Sequence, residues 1–174
     1  MNSTTRDRIL DAVEQLLLDR GVQQVTLEAV ANEAGVSKGG LLYHFNNKDA
    51  LLAGMVRRLG ERADRQLADA VQAGESVAEW YLAPGDSNDE LEVALFRSML
   101  AVMRSVDAPD SEVQRAMVDV MRSWDSGVQR EIDDPVQAEI VRLVGDGLYL
   151  GALLGLPDPD PELHRQVVAR LLGR

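Results

Sequence analysis

Between Ser37 and Lys48 the chain sets a capping hydroxyl, two ammonium groups, a phenol and an imidazole (Ser37, Lys38, Tyr43, His44, Lys48), with no acidic residue from Ala34 to Lys48. Lys38 and Lys48 are the only lysines in the sequence. The chemistry such groups offer is recognition of an anion. An ammonium can neutralise a phosphate or donate to guanine O6 and N7, and the free N–H groups of a helix that starts at Ser37 face a phosphate with the helix dipole behind them. Bond-making chemistry has little to work with. The two histidines, His44 and His164, are far apart, there is no cysteine, and no nucleophile motif, phosphate loop or plausible pair of acids occurs. No enzymatic activity, metal or other cofactor is therefore expected.

Donors this close together need a rigid support, and Thr26–Leu52 supplies one. Thr26 is a helix N-cap, and Leu27, Val30, Ala31 and Ala34 follow at helical intervals. Gly35 closes that helix, because glycine takes positive φ without steric cost, and Ser37 caps the next. With only Gly35 and Val36 between them, the two helices must cross steeply. Ala31 is small enough for close approach, and Val36, Leu41 and Phe45 turn inward. This is helix-turn-helix geometry. A preceding helix from about Thr4 to Arg20 carries Ile9, Leu10, Val13, Leu16 and Leu17 as one stripe and ends at Gly21. Asn47 opens a fourth helix to about Ala73, roughly 40 Å long at ~1.5 Å per residue.

The runs Gly35-Val36-Ser37-Lys38-Gly39, Leu42-Tyr43-His44-Phe45 and Lys48-Asp49-Ala50-Leu51-Leu52 resemble the DNA-binding signature of the tetracycline-repressor (TetR) family of bacterial transcription regulators. The resemblance runs from about Arg6 to Arg58. Later in the chain it rests on helix count and on Asp146-Gly147-Leu148, which is similar to some members. It implies that Lys38, Gly39, Gly40, Leu42 and Tyr43 face the major groove. Thr26, Tyr43, His44 and Lys48 are then placed for DNA backbone contacts. Gly39 and Gly40 offer no side chain, so direct readout is sparse and specificity is expected to lean on Lys38, Tyr43 and DNA deformability.

The net charge of −11 repels a polyanion, but it is unevenly spread. Residues 1–62 hold eight Arg/Lys and eight Asp/Glu, and residues 63–174 hold ten and twenty-one. All the excess acid lies outside the reading head, which predicts weak non-specific affinity for DNA. The N-terminus has no signal-peptide core, and the most apolar run, Leu143 to Leu156, is 14 residues long and contains Asp146. A cytoplasmic chain with no membrane partner is expected.

The rest of the chain reads as helix: Ser76 to Leu82, then Asp89 to Val106 after the break at Ala83–Asn88. Further helices follow to about Asp133, from Pro135 to about Leu156, and from Asp160 onward. The fold class is all-α. An N-terminal helix-turn-helix domain (1–47) is joined by a connecting helix (48–73) to a helical ligand-sensing and dimerisation domain (74–174), about nine helices in all. Trp80, Tyr81, Phe96, Met99, Met103, Met117, Met121 and Trp124 are candidates to line a small apolar ligand's pocket, and the same residues serve equally as ordinary core. Arg97 and Arg104, seven apart, read as a solvated or salt-bridged face, with an anionic ligand as the alternative, and His164 reads as a surface residue.

Gly145, Gly147, Gly151 and Gly155 each weaken a helix by ~1 kcal/mol against alanine unless packing offsets the loss. Gly147, Gly151 and Gly155, four apart, make a smooth strip, and Gly147, Leu148, Gly151, Leu154 and Gly155 are the expected homodimer interface. Close packing within one subunit is the alternative. The family arrangement, as implied by the resemblance, is a four-helix bundle of the last two helices and their symmetry mates. The expected function is a homodimeric repressor on a palindromic double-stranded operator, released by a small ligand. Activation, ligand-independent regulation, or a protein-interaction module with a vestigial head are the other readings.

Overall fold

The computed structural model describes residues 4–83 and 111–174, and within them every regular element is a helix. The helix expected over 89–106, with Phe96, Arg97, Met99, Met103 and Arg104, lies outside the described residues. Two compact units divide the chain, the first from Met1–Gly60 and Glu90–Val120, the second from Glu61–Asp89 and Met121–Arg174.

In the first unit, α1 (Thr5–Arg20) opens on a capping box: Asp7 N donates to Thr4 Oγ1 at 3.1 Å and Thr4 N to Asp7 Oδ2 at 3.0 Å. The Thr4 donors hold the Asp7 carboxyl below its ordinary range. Ile9, Leu10, Val13, Leu16 and Leu17 are buried as one stripe, and Gly21, at φ 74°, ends the helix. After a 3-10 turn at Val22–Gln24 come α2 (Leu27–Glu33) and α3 (Lys38–His44). Thr26 Oγ1 caps α2 through Ala29 N at 3.1 Å, and Ser37 Oγ caps α3 through Gly40 N at 3.0 Å.

The turn between them is a Schellman motif. Gly35 has φ 63°, its N–H donates to Asn32 O at 3.2 Å, and Val36 N donates to Ala31 O at 3.0 Å. Arg8 of α1 locks it by donating from Nη2 to Ala34 O at 2.7 Å. Leu41 and Phe45 are buried and Val36 is half-buried, all against the same core as α1. Next, α4 (Lys48–Gln72) is capped by Asn47 through Ala50 N at 2.7 Å.

The next described helix, α6 (Glu112–Glu131), starts in the first unit. Its opening N–H groups are held by a residue distant in sequence: Asp49 of α4 accepts from Glu112 N at 2.6 Å and from Val113 N at 3.4 Å. Val113 and Ala116 are fully buried in the helix-turn-helix core, and Gly60 makes room for Val120, which would meet a Cβ there at 2.6 Å. Asp49→Ala is expected to lower stability by about 1 kcal/mol, as loss of a cap does, and Asp49→Asn by less. Thermal melts would measure this, and amide exchange should accelerate at Glu112 and Val113 specifically.

The second unit holds the part of α4 from Glu61 onward, α5 (Val77–Leu82), the rest of α6, α7 (Pro135–Leu154) and α8 (Pro161–Leu171). Its core is Ala78, Leu82, Val128, Ala138 and Val141, with Tyr81, Ile132, Val144, Leu148, Val168 and Leu171 packed on it. Glu131 accepts from Val77 N at 2.6 Å and Ala78 N at 3.2 Å, so a carboxylate of α6 caps α5 as Asp49 caps α6. His164 is not the surface residue its sequence context suggests. It is 9 % exposed, and its Nε2 lies 2.9 Å from Leu82 O, so the ring satisfies a carbonyl that the end of α5 leaves open.

Candidate nucleic-acid interface

Leu41 of α3 and Phe45, which caps its end, point into the core, which commits the opposite face of the helix to solvent. There Lys38, Gly39, Leu42, Tyr43 and His44 are exposed, Tyr43 to 86 %. Such a tyrosine buries almost none of its ring in its own protein. Among the described residues, its ring neighbour is His44, edge-on at 5.2 Å. Phe45 is fixed from behind by Arg6, whose guanidinium sits 5.5 Å from the ring centroid. Lys48 is exposed in the first turn of α4, and the Thr26 hydroxyl is exposed at the start of α2. Gly40 is half-buried beneath Ser37. The residues expected at a DNA surface thus all belong to the first unit, on or beside one helix held by a buried aliphatic core.

Of the residues expected to line a pocket, the second unit gathers Trp80, Tyr81, Met121 and Trp124. Trp80 and Trp124 meet edge-on at 6.1 Å, and Trp124 meets Tyr149 at 6.2 Å. Tyr149 was not among the expected residues, because an apolar run with one tyrosine does not reveal which way the ring faces. Tyr81 OH donates to Asp146 at 2.6 Å, and Asp146 pairs with Arg142 at 2.7 Å. Burial and these carboxylates push the Tyr81 phenol far above its ordinary value, so it acts only as a neutral donor. Burial also raises the Asp125 carboxyl from its ordinary value. Met117 stands apart from this group. It packs on the core of the first unit.

The glycine strip needs correction. Gly155 is not on the helix; it is the left-handed C-cap of α7 at φ 68°. Leu148 packs into the second core, and Gly145 admits Tyr81 within the subunit. Gly147 and Leu154 do face solvent, while Gly151 is half-buried. The exposed stripe of α7 is instead Val136, Ile140, Leu143, Gly147, Leu150 and Leu154, spaced alternately four and three apart. On α8, Leu163 and Val167 are exposed as well. That alternation is the signature of a helix seam. The same four-and-three spacing is present in the sequence, interleaved with the glycines of this helix.

Among the described residues, no cluster of His, Cys, Asp or Glu is suited to a metal, and no helix is long and apolar enough to cross a membrane. The chain is similar to the HTH-type transcriptional regulator PksA of Bacillus subtilis, with 26 % identity over 161 residues, 86 % of this chain and 78 % of PksA. It is also similar to the HTH-type transcriptional regulator TtgR of Pseudomonas putida, with 38 % identity over 73 residues. That match covers 42 % of this chain and about a third of TtgR, 34 %. Among solved structures, the multidrug binding protein EbrR in complex with ethidium superposes with a TM-score of 0.72. EbrR is 26 % identical, with 97 % of this chain and 98 % of EbrR covered. Residues 9–55 match the family described as bacterial regulatory proteins, tetR family, and residues 75–174 match the tetracyclin repressor-like C-terminal domain. The chain is therefore a member of the tetracycline-repressor family of bacterial regulators, carrying that family's helix-turn-helix domain and one of its C-terminal domains.

Proposed function

We propose that this protein is a homodimeric transcriptional repressor that grips a palindromic operator with two helix-turn-helix heads and is released by a small ligand bound in its helical body. The exposed face of α3 carries this reading, because Lys38, Leu42 and Tyr43 are solvent-facing on a helix whose other face is locked in the core. Lys38 is the candidate donor to guanine, Tyr43 reaches bases or backbone, and Thr26, Ser37, His44 and Lys48 hold phosphates. Pairing of heads is supported by the exposed apolar stripe of α7 and the exposed Leu163 and Val167 of α8, large apolar side chains left without cover in a single chain. A two-fold dimer sets the heads on half-sites about one helical turn, or a multiple, apart.

The ligand-binding part of this reading is supported by the likeness to EbrR, a multidrug binding protein solved with ethidium and with malachite green. Among the described residues of this chain, the Trp80–Trp124–Tyr149 rings form an aromatic cluster in the body, with Trp124 buried at its centre. A ligand there weakens DNA binding only to the extent that it prefers the released conformation.

The test is a titration of duplexes selected from a randomised pool by the wild-type protein. Lys38→Ala together with Tyr43→Ala removes two contacts of ~1–3 kcal/mol each, so affinity should fall about 30-fold or more and the salt slope by about one. Unchanged binding by the double variant contradicts the assignment of the site.

A further inference from the structure

The two glycines of α3 look alike in the sequence and differ in the structure. Neither has positive φ, so the backbone conformation asks for glycine at neither position. At Gly40 a Cβ would stand 3.2 Å from Ser37 Oγ, the oxygen that caps Gly40 N at 3.0 Å. The fold itself therefore has a reason to keep this position bare. At Gly39 a Cβ would meet nothing but that same oxygen, at 4.0 Å, an ordinary contact. The residue is exposed, and the space beyond it is open. Glycine is a poor helix former, and α3 has only seven residues over which to recover the loss. The isolated fold would thus be steadier with a side chain at position 39.

We infer that the DNA fills the space over Gly39. In this geometry α3 docks so closely that its backbone at Gly39 meets the groove, and any side chain there would hold the helix off. Lys38 on one side, with Leu42 and Tyr43 one turn on, make the side-chain contacts around this point. Position 39 then governs specificity by exclusion: it sets the depth of docking, and with it which groove widths the flanking side chains can reach. This inference rests on the reading of α3 as the DNA-contacting helix.

The experiment compares the full-length wild type with Gly39→Ala, using a duplex that the wild type enriches from a randomised pool. Gly39→Ala is expected to melt about 2–4 °C higher, because alanine favours the helix and nothing in the fold obstructs it. Its affinity for the selected duplex is expected to fall at least about tenfold, because the methyl group occupies the contact surface. A lower melting temperature overturns the inference, since the fold itself then requires the glycine. A loss of affinity below tenfold also overturns it and leaves the DNA reading standing. If the wild type enriches no duplex, the DNA reading itself fails, which is a separate outcome.

Discussion

Replacing Leu143 and Leu150 together by glutamate is expected to convert the protein to monomers that no longer hold operator DNA tightly. Both leucines are large, apolar and about half exposed in the single chain, at 56 % and 50 %, and they flank Gly147 on the seam of α7. Each leucine fully buried against a partner contributes ~1.5–3 kcal/mol, and a two-fold axis presents every one of them twice. Four carboxylates brought to that seam would lose this burial and repel one another across it. Glutamate is a good helix former, so α7 should stay intact and circular dichroism should change little. Sedimentation would read a single-chain mass. Two heads that no longer share a body lose their effective concentration on the operator, and affinity should fall by about 100-fold or more. A variant that remains dimeric places the interface elsewhere.

Gly145→Val is expected to damage the second unit itself. A Cβ at this position would lie 2.2 Å from Tyr81 Cδ1 and 2.9 Å from Tyr81 O. The ring cannot swing aside cheaply, because its hydroxyl is bound to Asp146 at 2.6 Å, and the backbone oxygen belongs to α5. Overpacking with a broken buried hydrogen bond should cost about 3 kcal/mol, or about 6–12 °C in melting temperature, despite valine's better helix propensity. Even Gly145→Ala should lower the melting temperature. The same change at Gly39 should raise it. A melting temperature that rises for Gly145→Ala would show that Tyr81 is held less firmly than its hydrogen bonds indicate.

Helix caps and apolar stripes made most of the architecture legible from the residues alone. Thr26, Ser37 and Asn47 cap the helices they were expected to cap, since N-capping is a local interaction between a side chain and the next turn. Contacts distant in sequence were not legible. Nothing near Asp49 indicates that it caps the start of α6, and nothing near His164 indicates that it meets the carbonyl of Leu82. The glycines of α7 show the same limit. Spacing alone could not separate Gly145, packed under Tyr81, from Gly147, facing open space, or from Gly155, which ends the helix. A missing side chain is ambiguous until the neighbour that would have met it is known.

Selection of duplexes from a randomised pool by the full-length protein, followed by sequencing of those retained, tests the central claim most directly. The expected product is an inverted repeat whose half-sites lie about one helical turn, or a multiple, apart, bound by two chains. Retention of no preferred sequence, or of a single unpaired motif bound by one chain, contradicts it.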